Sequence, residues 1–331
     1  MLGHKTSFIG CLRLIGRISK CIEDNNWVDI ENQFYDLLSG GPYREIAPLD
    51  LVLKTNNELT VLKNCLVEYL NEISICANLK NNKIRELMFE PISQADVAVA
   101  NKKEMQAHIR ENFNSDTIIL TQQYKLYVDD SEKLLQFAKD YQAKNPNKSP
   151  ELILSPNLEY FSFPREVMLL NFNYTDTEKL YYSNGSTVQV NHIHGTLKNP
   201  GSVIFGYGDE LDSKYKKILE LNENEYLQNM KSCHYLESGN YRKMLSFIES
   251  APYQVYIMGH SCGNSDRTLL NTLFEHKNCV SIKPFYYQDP SGHDNYIDIV
   301  QNISRVFTNM QLMRDRVVSK DRCKPLPQNE A

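Results

Sequence analysis

Apolar positions fall into two regimes along the chain. In the first part they recur at helical spacing: Leu59, Leu62, Leu66, Leu70, Ile73 and Cys76 follow three- and four-residue steps, the mark of an amphipathic helix. This predicts a long helix over 58–89 with a break near "KNNK" at 80–83. Residues 5–38 read as two helices, the second opening at "NNWVDIENQFYDLL" with Asn25 or Asn26 as N-cap and acids in its first turn, and "GGPY" ends it. Further helices are expected at 93–112 and 131–144, and "AKNPNKSP" at 143–150 reads as a linker.

Beyond that linker the pattern changes to short apolar runs alternating with helical segments. Strands are expected at 151–154, 167–172, 188–192, 202–205, 254–258 and 280–286, and helices at 174–182, 210–223, 224–250, 265–276 and 293–313. Runs such as "VMLLNF" and "VYIMG", each followed by a turn and a helix, suit a buried parallel sheet of doubly wound type. The predicted fold class is therefore α/β: a Rossmann-like, mainly parallel sheet flanked by helices, with a large helical insertion in the first half. The expected divisions are amino-terminal helices of the core at 1–57, a helical insertion or lid at 58–145, an α/β core at 146–318 and a disordered tail at 319–331, where "KDRCKPLPQNEA" is polar and proline-rich.

Three predicted strands end in polar, turn-forming residues, and in open α/β sheets ligands bind beyond the carboxyl ends of strands. The first end delivers Asn171, Asn173, Tyr174 and Asp176, with Thr175 or Asp176 capping the next helix. The second delivers His192, His194 and Gly195. The third delivers Gly259, His260, Ser261, Asn264 and Asp266, with Asp266 read as a helix cap. Each has a plain structural reading: asparagines and aspartates make Asx turns and caps, and a single histidine is more often a hydrogen-bonded structural residue. Three such ends on one sheet edge favour a site.

Gly259-His260-Ser261-Cys262-Gly263 fits G-x-S-x-G, the elbow that presents a nucleophilic serine in α/β-hydrolases. That fold needs several later strands to carry the triad acid and histidine, whereas only one predicted strand, 280–286, follows here. A serine hydrolase using Ser261 is therefore a minor alternative. His192 and His194, two apart on a strand, face one side and raise a zinc reading, with His260, Asp266 or Glu31 as third ligand. No ligand spacing supports it, and no metal is expected.

Composition narrows the classes further. Apolar residues make up 41% and charged residues 23% of 331 positions, and no stretch approaches the roughly 18 apolar residues of a membrane helix. The segment Thr6 to Ile22 is broken by Arg13, Arg17 and Lys20 and lacks a small-residue cleavage site, which argues against secretion. The eight cysteines form no C-x-x-C pair, so reduced buried thiols in a cytoplasmic setting are expected. With a net charge of −5 and dispersed lysines and arginines, nucleic-acid binding has no positive support.

At the three strand ends the chain resembles the AbiH family of bacterial phage abortive-infection proteins. The matching segments, in order, are "NFNYTDTEKLY", "HIHGTL" with "VIFGYGDE", and "GHSCGNSDRTLLNTLFEH"; "HKTSF" and "WVDIE" extend the likeness toward the amino terminus. That family is in turn similar to Sir2-like domains, which bind NAD and in several antiphage systems cleave it. The resemblance implies NAD as ligand or substrate, with Asn173 ordering the ribose hydroxyls or a water and His194 acting as base. Tyr174, Asp176 and His192 would be supports, and Asn171, Gly195, Gly259, Ser261, Asn264 and Asp266 would contact the nucleotide. The acid at Asp176 falls one place later than in the Sir2 pattern. Members usually begin with a strand and a "GNGFD"-like phosphate turn, and this chain starts at "MLGHKTSF", so that strand is expected to be missing through a misplaced start or a true shortening. A catalytically silent nucleotide binder or phage-sensing interaction protein is the alternative, with a phage-derived trigger and a homo-oligomer as the partners implied.

Overall fold

The computed structural model describes residues 14–15, 18, 29–40, 45–72, 82–111, 119–120, 140, 143–144, 152–153, 160–162, 164–181 and 188–328. They divide between two compact units that interleave along the chain. The first draws on Met1–Ser74, Ile193–Tyr241 and Cys262–Leu270; the second on Ile75–His192, Arg242–Ser261 and Asn271–Ala331.

The first unit is helical. Its helix Ile30–Leu38 opens at Asp29, whose side chain accepts from the Asn32 backbone N–H, rather than at Asn25 or Asn26, which lie outside the described residues. The helix turns Phe34, Tyr35, Leu37 and Leu38 inward. The helix Leu49–Glu72 runs unbroken through positions 57 and 58, and near its middle the buried Glu58 carboxylate accepts from the Leu14 and Ile15 backbone N–H groups. These helices pack with Tyr207, Tyr215, Ile218, Tyr226 and Met230 into one apolar core, in which the Tyr35 and Tyr207 rings stack at 3.9 Å. Burial of that area is the main stabilising term.

The second unit holds the strands: β1 (Ile92–Ser93), β2 (Ile119–Leu120), β3 (Leu152–Ile153), β4 (Tyr160–Ser162), β5 (Val167–Asn171), β6 (Val188–His192), β7 (Tyr253–Met258) and β8 (Cys279–Phe285). Parallel pairing occurs where the apolar runs predict it, β5 with β6 and β7 with β8. One continuous doubly wound sheet is not formed among the described residues: the parallel strands make two separate pairs, and β1-β4-β3-β2 is an antiparallel sheet. Val167 and Leu169 of β5 and Met258 of β7 pack against a cluster of Val188, Met88 and Phe89, so the two pairs share apolar side chains without sharing a ladder. Every residue of β8 is buried, as expected of a strand covered on both faces.

Several elements depart from expectation. Residues 202–205 form no strand. A 3-10 turn at Pro200–Ser202 follows "NPG", and the Ile204 N–H then donates to the His194 carbonyl. The helix expected over 174–182 shortens to a 3-10 turn, Thr177–Leu180, and the helix expected over 224–250 is three pieces, Asn224–Tyr226, Lys231–His234 and Asn240–Ser250. The helix expected over 131–144 and the linker at 143–150 lie almost wholly outside the described residues.

Residues 319–328 are not a loose tail. The Arg322 guanidinium donates to Asp96 at 2.6 Å and to the Ser93 hydroxyl at 2.7 Å. Leu326 N–H donates to the Tyr286 carbonyl, and Cys323 is buried. Asp96 also receives Lys283 of β8 at 2.8 Å, so this ion cluster ties the terminal segment to the unit. The amino acids are polar, but their partners are in place.

Candidate functional site

At the carboxyl end of the β5–β6 pair, Asn171 and His192 stand opposite each other in register. Asn171 is buried, and its side chain closes the turn that follows: its amide oxygen accepts from the Asn173 N–H at 2.8 Å and its amide nitrogen donates to Glu178 at 2.8 Å. This is the local bonding that makes asparagine a turn residue. Asn173 is thereby held exposed at the strand end, its amide reaching the Thr177 hydroxyl at 3.2 Å. Asp176 occupies the cap position of the 3-10 turn without capping it; its carboxylate pairs with Lys179 and lies 3.9 Å from His192 Nε2. Tyr174 is half-buried in the same turn.

His192 is oriented from both sides. Its Nδ1 lies 3.3 Å from the Asn173 carbonyl and its Nε2 3.5 Å from Glu178. Its pKa is raised, chiefly by the hydrogen bond to Glu178 and against the opposing effect of burial. Burial alone would push Glu178 upward, but the hydrogen bonds from His192 and Asn171 outweigh it and hold the carboxyl below its usual range. Glu178 is the residue that sequence reasoning missed. Its one signal in sequence is an acid two places after Asp176, in a segment that reads as the start of a helix.

The end of β7 belongs to the same unit. Phe172, next after β5, and His260, two past the end of β7, bring their ring centroids to 4.1 Å, so these strand ends are neighbours. Gly259 is exposed with φ +76°, and among the described residues, its chain neighbours aside, no heavy atom stands within 4 Å of where a Cβ would sit. Only glycine adopts that backbone without cost, and the space beside it is open to a ligand. Ser261 is exposed, and its carbonyl accepts from Asn302 at 2.8 Å. The left-handed non-glycine residue of the turn is Cys262, at φ +56°. Its thiol is buried and pushed up to about 12, which leaves no thiolate nucleophile at neutral pH.

His194, Gly195, Asn264 and Asp266 belong to the first unit. His194 is buried, with Nε2 3.1 Å from Asp266 Oδ1 and 3.3 Å from the Tyr235 hydroxyl. Asp266 ends the 3-10 turn Asn264–Asp266 and stands immediately before the helix Arg267–Glu275, and its carboxylate receives Lys231 Nζ at 2.8 Å. Lys231, 1% exposed, also reaches Glu31 at 2.7 Å, and Glu31 accepts the Gly206 N–H. A buried cation between two carboxylates is thus the electrostatic centre of this unit. Gly195 has φ +82°, and a Cβ there would meet the Ser202 carbonyl at 2.0 Å. That glycine is required by close packing.

The sequence-predicted residues are therefore shared between units. Asn171, Asn173, Tyr174, Asp176, His192, Gly259 and Ser261 are in one, and His194, Gly195, Asn264 and Asp266 are in the other. Lys231 and Glu31 are the partners that periodicity could not reveal. Among the described residues, no helix is long and apolar enough to cross a membrane.

A family model described as "Bacteriophage abortive infection AbiH" matches residues 10–288. Comparison with curated proteins and with solved structures gives no match.

Proposed function

Since the chain belongs to the AbiH family of bacteriophage abortive-infection proteins, we propose that it acts in phage defence by binding NAD and hydrolysing its nicotinamide–ribose bond. The observation that carries the reading is the meeting of strand ends in the second unit: Asn173 and His192 beyond β5 and β6, with Gly259 and its open flank beyond the adjoining β7. Parallel strands place ligands at such ends, and a glycine without neighbours lets a ligand approach backbone closely.

The chemistry asks little of the protein. As the C–N bond breaks, its electron pair leaves with nicotinamide, which departs neutral and needs no general acid. Positive charge builds on the ribose, as in glycoside hydrolysis. Water then bonds to the anomeric carbon and gives up a proton. In the proposed scheme Asn173 orients the ribose hydroxyls or that water, whose proton passes to solvent. Asn171, Tyr174, Asp176 and His192 fix the position of Asn173; Gly259 and Ser261 are assigned to the nucleotide.

The test is to incubate purified protein with NAD and measure ADP-ribose and nicotinamide. Release by the native chain that is lost in Asn173→Ala supports the scheme; no release from the native chain rejects turnover. A second reading, a nucleotide-binding sensor without turnover, is favoured by the burial of His194 and the engagement of its Nε2. That reading predicts NAD binding by calorimetry with no product, and a phage-derived component or a second copy as the partner that completes the response.

A further inference from the structure

Asp176, Glu178 and His192 each present one ligand atom, and the three atoms lie within 4.8 Å of one another. We propose that these side chains form a binding site for a divalent first-row transition-metal ion, of the Mn2+ or Zn2+ class. The inference goes beyond NAD chemistry and stands whether or not NAD is bound.

Three features carry it. A neutral imidazole has one nitrogen for a metal, and the other is normally held by a carbonyl or carboxylate. Here Nδ1 faces the Asn173 carbonyl at 3.3 Å, which turns Nε2 toward the two acids. Each carboxylate, moreover, has its second oxygen engaged: Glu178 by the Asn171 amide at 2.8 Å, Asp176 by Lys179. The other oxygen of each faces Nε2, at 3.5 Å for Glu178 and 3.9 Å for Asp176.

A simple ion pair accounts for less. Nε2 carries at most one proton, and at 3.9 Å the Asp176 oxygen is beyond hydrogen-bond range. A metal with bonds of about 2.1 Å spaces its ligand atoms about 3.0–3.4 Å apart, so atoms now within 4.8 Å of one another close by at most about 1.4–1.8 Å to bind it. One imidazole and two carboxylates form a donor set of mixed hardness, suited to Mn2+ and Zn2+ more than to Ca2+. The half-buried setting leaves the remaining positions to water.

The test is a titration of the purified full chain with Mn2+, following the resonance signal of the free ion, with Zn2+ as competitor. Expected is one Mn2+ per chain, displaced by Zn2+, with affinity at least tenfold weaker in Glu178→Gln and in His192→Ala. A thermal shift on adding Mn2+ should appear in the native chain and vanish in Glu178→Gln. If either variant fails to fold, Asp176→Asn, at a half-buried position, carries the same comparison. No saturable binding by the native chain, or affinity within twofold of native in the variants that fold, overturns the proposal.

Discussion

Replacing Lys231 by methionine tests whether the buried charge centre of the first unit is as tightly coupled as its geometry implies. Lys231 is 1% exposed and holds Glu31 at 2.7 Å and Asp266 at 2.8 Å. Methionine keeps most of the stem volume, so the loss reports on the charge and not on a cavity. Removing one partner of a buried pair leaves uncompensated charge and costs about 3–5 kcal/mol. At about 2 °C per kcal/mol for a protein of this size, that is a fall of about 6–10 °C in Tm. Chemical denaturation and calorimetry at pH 7 measure it. A loss below about 1 kcal/mol would refute the reasoning, because exposed pairs contribute only about that much.

Other consequences are equally direct. Gly195→Ala should cost well over about 2 kcal/mol in denaturation experiments, since strain at positive φ is joined by the collision with Ser202, whereas Gly259→Ala should cost only about 1–2 kcal/mol, having strain alone. Cys262, Cys279 and Cys323 have thiols pushed up to about 12, by burial above all, so at pH 8 mass-mapped alkylation should modify exposed Cys65 first and reach these three only after unfolding. Because the folded state keeps those protons, the thiols' contribution to stability is complete below the unfolded value of about 8.5 and declines as pH rises above it. Deleting residues 319–331 should lower stability measurably by denaturation, because Arg322 and Leu326 lose their partners; an unchanged midpoint would restore the view of this segment as a loose tail.

The strands β5 to β8 are legible in the sequence because a bare apolar run bounded by turns fits a buried strand and little else, and their polar ends are legible because turn chemistry is local. Which strand pairs with which is not, since a parallel ladder leaves no mark in side-chain order; the two separate pairs emerge only in the structure. The larger omissions are charged residues inside. Lys231 reads as one more helix lysine, yet its partner Glu31 is 200 positions away. Arg322 sits in a segment whose composition suggests disorder, and Asp96, which anchors it, is 226 positions away. Asp266 is legible only in part: a helix start accounts for an aspartate locally, but its buried partner Lys231 is 35 positions away. At the candidate site Asn171, Asn173 and His192 stand out from sequence. Glu178 does not, because the turn that buries it looks like the first part of a helix.

The most direct measurement of the central claim is the cellular NAD pool after phage infection, with nicotinamide assayed alongside, in cells carrying the native chain or Asn173→Ala. The account predicts a fall in NAD with matching nicotinamide release in the native strain, and a stable pool in the variant at equal protein level. NAD that holds steady in the native strain while the culture still resists the phage would contradict it.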